Sequence, residues 1–178
     1  GIAIYDKGSF STPIGEIPVD AALADSIKEK SGRILSYPEA FDGENSIEMQ
    51  IPFIQLMFNK ASIVPIAFGT QLYYDVDILA LALADVLKDR ADCIIVASSD
   101  LSHYHTYDDA KIIDARLIDL LRKMKAYDIY EEVKHGRAEA CGVMPIATAL
   151  LTAEKLGYDG LSILKYANSG DTAGDKVN

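Results

Sequence analysis

Ser98-Ser99-Asp100-Leu101-Ser102-His103-Tyr104-His105 gathers hydroxyls, a carboxylate and two of the chain's three histidines into eight residues. An aspartate can orient an imidazole and fix its tautomer. An imidazole near neutrality can carry protons or bind a metal. The run follows Cys93-Ile94-Ile95-Val96-Ala97, which reads as a buried strand. In open α/β sheets, sites form just beyond the carboxyl ends of strands. Asp100 and His103 are therefore the candidate catalytic pair, with Ser99 lining the same cleft. His105 directly precedes a helix, where capping or solvent exposure accounts for it. The competing explanation is a surface turn whose Asp and Ser side chains only satisfy local amides.

Cys141-Gly142-Val143-Met144-Pro145 is the second feature. Proline is tolerated in a helix's first turn, so Cys141 is expected at a helix N-terminus. The dipole there favours negative charge, and a thiolate is a nucleophile or a soft metal ligand. A buried, inert thiol is the alternative. His135 reads as a solvated residue at a helix end. In Glu44-Asn45-Ser46-Ile47-Glu48-Met49-Gln50-Ile51-Pro52-Phe53, Glu48 falls off the stripe of Ile47 and Ile51, which allows it to face a cleft or simply solvent. Tyr166-Ala167-Asn168-Ser169-Gly170-Asp171, continuing to Asp175, ends another apolar run in polar groups. Asn168 and Asp171 can line the same sheet edge as Asp100, or form a plain turn.

These residues need elements to hold them. Gly1 to Tyr5, Ala61 to Phe68, Ala91 to Ser98 and Gly160 to Tyr166 read as strands. Pro13, Gly15 and Pro18 mark a loop. Helices are expected from Asp20 to about Lys30, from Asp75 to Lys88, and after a cap at Thr106 or Asp108, with Ile112, Ile113, Leu117, Leu120, Leu121 and Met124 inward. Others follow at Tyr127 to Lys134 and Gly142 to Leu156. From Glu44 to Phe58 the stripe is helical, but Pro52 predicts a kink or a late start. Alternating strands and helices predict an α/β fold: a mostly parallel sheet with helices on both faces.

The chain has 178 residues, enough for one domain with a substantial core. Its charge of −10 argues against a nucleic-acid footprint or an anionic membrane surface. No apolar run approaches the roughly 20 residues of a membrane span. Two cysteines make no disulfide framework, so a reducing, cytoplasmic setting is expected. Cys93, inside a strand run, reads as a small buried hydrophobe.

Taken together, the motifs resemble the Memo family, also described as AmmeMemoRadiSam system protein B. The matching stretches are Thr12-Pro13-Ile14-Gly15 with Val19-Asp20, then Ser46 to Phe53, Ser98 to His103, Cys141-Gly142 with Pro145, and Tyr166 to Asp171. They occur in family order across nearly the whole chain. The family is similar in fold to class III extradiol dioxygenases, which use a non-haem iron. The resemblance implies a metal held by two histidines and one cysteine, with an Asp and a His beside it. Cys141 matches the ligand cysteine; Asp100 and His103 match the neighbouring pair.

The chain departs from the family's pattern in two places. The family's two ligand histidines lie in an N-terminal part with His-Ala-Gly-Tyr and Gly-Pro-x-His type motifs, and this chain begins after both. Asn45 stands where the family usually has His. The expectation is a single, partial Memo-like domain over residues 1–178, cut from a longer protein and holding part of the site.

Three functions follow as expectations. One is an oxidoreductase of dioxygenase type using iron, with copper or zinc as alternative metals and His103 as acid–base. Another is a non-catalytic protein binding a metal, small molecule or peptide on a dioxygenase-derived fold. The third is an accessory component working with a radical-SAM protein, by family association.

Overall fold

The computed structural model describes residues 1–58 and 60–174. Asp175, the last residue of the Tyr166 motif, lies outside the described residues. The chain divides into two compact units, 1–94 and 95–178.

In the first unit, β1 (Ile2–Ile4) is central to a small sheet, flanked by β4 (Ile34–Ser36) and β5 (Ile66–Phe68). β1 runs parallel to β4, pairing Ile2 with Ile34, and antiparallel to β5, pairing Ile2 with Phe68. Two further strands, β2 (Ser9–Thr12) and β3 (Gly15–Pro18), form an antiparallel hairpin. Pro13 occupies the turn's first corner, where its fixed φ is favourable. Helix α1 (Ala21–Lys28) starts where Asp20 accepts the Leu23 N–H at 2.9 Å. Helix α3 (Tyr73–Leu87) buries Val76, Leu79, Ala80, Ala82 and Leu83. Ile2, Ile4, Ala24, Ile27, Ile34, Leu79, Ala82 and Leu83 form one apolar cluster. Helix α2 (Ile51–Met57) begins late, with Pro52 in its first turn, because proline there removes no helical hydrogen bond. Its Ile51 is buried, whereas Phe53, Leu56 and Met57 are exposed.

The second unit is helical among the described residues. It contains α4 (Tyr107–Arg122), α5 (Ala126–Lys134), α6 (Val143–Lys155) and the short α7 (Ser169–Ala173). Thr106 caps α4 by accepting the Asp109 N–H. Leu117, Ile129, Tyr130, Val143, Met144, Ala147 and Leu150 are buried in it.

Two expectations about strands require correction. Segments 91–98 and 160–166 join no strand ladder among the described residues. Ile94, Ile95 and Val96 are 65%, 40% and 50% exposed, and Leu164 is 95% exposed. A β-branched apolar run supplies propensity, but a strand exists only through its pairing partner. The sheet is accordingly mixed, with one parallel and one antiparallel pairing, rather than mostly parallel. No helix among the described residues is long and apolar enough to cross a membrane.

Candidate functional site

The second unit brings Ser99, Asp100, His103 and Cys141 together. Cys141 directly precedes Gly142, the N-cap of α6. Hydrogen bonds zip the two loops: the Cys141 N–H donates to the Asp100 carbonyl at 3.2 Å, and the Gly142 N–H donates to Ser99 Oγ at 2.9 Å. In return, the Asp100 N–H donates to Cys141 Sγ at 3.1 Å. Ser99 Oγ lies 3.7 Å from the same sulfur. Gly142 has a packing reason to be glycine. A Cβ there would sit 2.3 Å from the Ser98 carbonyl oxygen and 2.7 Å from Ser99 Cβ.

Asp100 and His103 face each other on the loop, with Oδ2 and Nε2 3.5 Å apart. Both are solvent-accessible, Asp100 more so than His103. Between His103 and His105 the chain reverses at Tyr104, whose φ of 60° is left-handed and whose ring is fully exposed. Holding a non-glycine residue there costs of order 1 kcal/mol, so the neighbouring contacts must over-determine the turn. Glu139 is one of them. Its carboxylate accepts the His103 N–H at 3.3 Å and contacts His105 Nε2 at 2.8 Å. His105 is thus hydrogen-bonded to Glu139 rather than a helix cap. Cys141 is an exposed thiol, and Cys93 is partly accessible rather than buried in a strand. Burial still pushes the Cys93 thiol upward.

Asp114 on α4 is the second support. It is 3% exposed, accepts the Ser102 N–H at 2.9 Å, and accepts the Tyr166 hydroxyl at 2.7 Å. Burial, and then the Asp114 carboxylate, push the Tyr166 hydroxyl up to about 12. Asn168 and Asp171 make a reciprocal capping box at α7, and Asp171 also accepts the Tyr107 hydroxyl at 2.7 Å. Their polar groups therefore fix the entry to α7 and join it to the start of α4.

Glu48 belongs to the first unit. It lines a half-open cleft of about 520 Å³ together with Tyr5, Phe10, Phe41, Asp42 and Met49.

Sequence reasoning passed over Asp114 and Glu139, and named Tyr166 only as the start of its motif. Asp114 was signalled by its position between Ile113 and Leu117 on an otherwise apolar stripe, where a carboxylate needs partners. Glu139 carried no such signal, because only the loop reversal at Tyr104 brings it to two residues more than thirty positions away.

The donor set tests the implied iron. Among the described residues, no group of three or more His, Cys, Asp or Glu side chains can hold a metal ion. Cys141 with Asp100 and His103 does not by itself fit a complete iron site.

The whole chain, residues 1–178, matches the family described as Memo-like protein. It is 36% identical over 173 residues to a MEMO1 family protein of Caldivirga maquilingensis, covering 97% of this chain and 61% of that protein. It is 31% identical over 177 residues to one from Methanothermobacter thermautotrophicus, covering 99% and 64%. With a Methanosarcina mazei homologue it shares 37% identity over 173 residues, covering 96% and 64%. The chain thus spans less than two thirds of these relatives' length. Matched from end to end by the family's pattern and by relatives of this similarity, the chain belongs to the Memo-like family.

Proposed function

We propose that Cys141, Asp100 and His103 form the thiol and acid–base half of a metal-associated cleft, with oxidoreductase chemistry of the dioxygenase type as the reaction class. The observation that carries this reading is the Cys141–Asp100–His103 contact chain. One backbone N–H engages the sulfur while the same residue's carboxylate faces the imidazole. His103 can accept or return a proton at Nε2, and Asp100 offsets the charge that appears on the ring. Ser99 and Gly142 hold the sulfur's loop against the imidazole's loop.

The remaining metal donors are proposed to come from a part of a longer polypeptide outside these 178 residues, consistent with the greater length of the relatives. Iron is the proposed metal, with copper and zinc as alternatives. The described residues do not by themselves complete a metal's ligand set. Because fold does not fix function, a second reading is a non-catalytic metal- or ligand-binding protein on a dioxygenase-derived fold. Family resemblance adds a radical-SAM protein as a proposed partner, for which co-purification from native cells is the test.

The deciding experiment uses the polypeptide at its relatives' length, loaded anaerobically with ferrous iron and then given oxygen and a panel of catechols. Oxygen uptake that is lost in both Cys141→Ser and His103→Ala supports the enzyme. Metal binding that is lost in Cys141→Ser, with no uptake on any catechol, supports the binding protein. Metal binding untouched by Cys141→Ser contradicts both.

A further inference from the structure

The cleft in the first unit joins aromatic and acidic side chains in one lining. Its lining is mixed, with Ser9, Ser11 and Thr12 beside the buried Phe41 and Ile51. Tyr5 packs edge-on against both Phe10 and Phe41, with ring centroids 4.9 Å and 5.5 Å apart. All three rings line the cavity. Two carboxylates, Asp42 and Glu48, also line the cleft, and no lysine, arginine or histidine does. Both carboxylates are exposed, and neither has a side-chain hydrogen bond or ion pair among the described residues. Elsewhere in this unit Asp6 is held by Lys28, Asp75 by Arg33, and Asp85 by Lys30 and Lys88. The cleft's volume of about 520 Å³ is that of a small-molecule site.

The geometry points to a binding site for an organic cation, specifically a primary amine on an aromatic or aliphatic body, seated against Tyr5 and Phe10 with its ammonium between Asp42 and Glu48. Aromatic faces attract ammonium groups and carboxylates neutralise them. An anion of the same shape meets two uncompensated charges and is rejected. The site is independent of the metal reading, because it uses no residue of the Cys141 loop.

Phenethylamine and 3-phenylpropanoate, which share a phenyl ring and differ in the sign of the charged end, are the probes. With methyl-labelled methionine, the Met49 resonance reports the cleft, since Met49 lines it. Phenethylamine should give a saturable shift at Met49, and 3-phenylpropanoate should not. The double variant Asp42→Asn, Glu48→Gln alters two exposed side chains and should weaken the amine by about tenfold. Cys141→Ser should leave its affinity unchanged, which separates this result from the fate of the metal site. Equal binding of both probes, an unaffected double variant, or no saturable shift at Met49 would each overturn the assignment.

Discussion

Tyr166→Phe isolates one hydrogen bond that ties the candidate loop to the helical unit. The Tyr166 hydroxyl donates to Asp114 Oδ2 at 2.7 Å, and the opposite oxygen of that carboxylate accepts the Ser102 N–H. Phenylalanine keeps the ring and removes the donor, so a carboxylate only 3% exposed loses one of its two anchors. A hydrogen bond to a charged group contributes about 1.5–3 kcal/mol, which places the expected loss near 2 kcal/mol. The pH dependence gives an independent check. Burial and Asp114 raise the Tyr166 hydroxyl from its ordinary 10.0 to about 12. A raised folded value means that this contribution is fully present below pH 10.0 and is lost as pH rises through about 12. The shift corresponds to at most ~3 kcal/mol, and partial exposure reduces it to about 1–2 kcal/mol. Urea unfolding of both proteins at mildly and strongly alkaline pH measures the gap. The gap should be about 2 kcal/mol near neutrality and should narrow above pH 10. A gap below about 0.5 kcal/mol, or one constant with pH, refutes the reasoning.

Gly142→Ala forces a methyl group into the Ser98 carbonyl and the Ser99 side chain. It should separate the Cys141 and Asp100 loops, read as accelerated exchange of the Asp100 amide and about tenfold faster alkylation of Cys141. Asp75→Ala removes a fully buried carboxylate bound by Arg33 and Thr70 and, because Arg33 is left solvated rather than buried unpaired, should cost about 1.5–3 kcal/mol in urea unfolding. Burial pushes the Asp75 carboxyl up, but Thr70 and Arg33 outweigh it and leave it below its ordinary 3.8. Its contribution is therefore present above pH 3.8 and lost as pH falls through the folded value, so acid unfolding of Asp75→Asn should lack that share. Glu139→Ala should release the Tyr104 reversal, seen as loss of His103 amide protection while the α6 amides stay protected.

Helices were legible where a stripe of apolar residues met a cap. Thr106 or Asp108 was expected to cap α4 before Ile113 and Leu117, and Thr106 does so, although Ile112, expected inward, is exposed; Pro52 marked the late start of α2. The hairpin of β2 and β3 was hidden, because Phe10 and Ile17 are its only inward apolar residues and the strands read as loop. Segment 91–98 misled in the opposite direction: Cys93 to Ala97 has strand composition, yet pairing is a property of two segments and composition describes one. In the candidate site, Ser99, Asp100, His103 and Cys141 were visible as residue types at a strand-like end and a helix start. Their mutual support through Asp114, Glu139 and Tyr166 was not, because those contacts join positions 12 to 52 residues apart.

Cobalt(II) titration tests the central claim most directly, since thiolate-to-cobalt charge transfer reports a sulfur ligand without requiring turnover. The polypeptide at its relatives' length should bind one cobalt ion and develop that absorption. Cys141→Ser should abolish the absorption, and His103→Ala should retain it while perturbing its pH dependence. Cobalt binding with the same spectrum in Cys141→Ser and the unaltered protein would contradict the account.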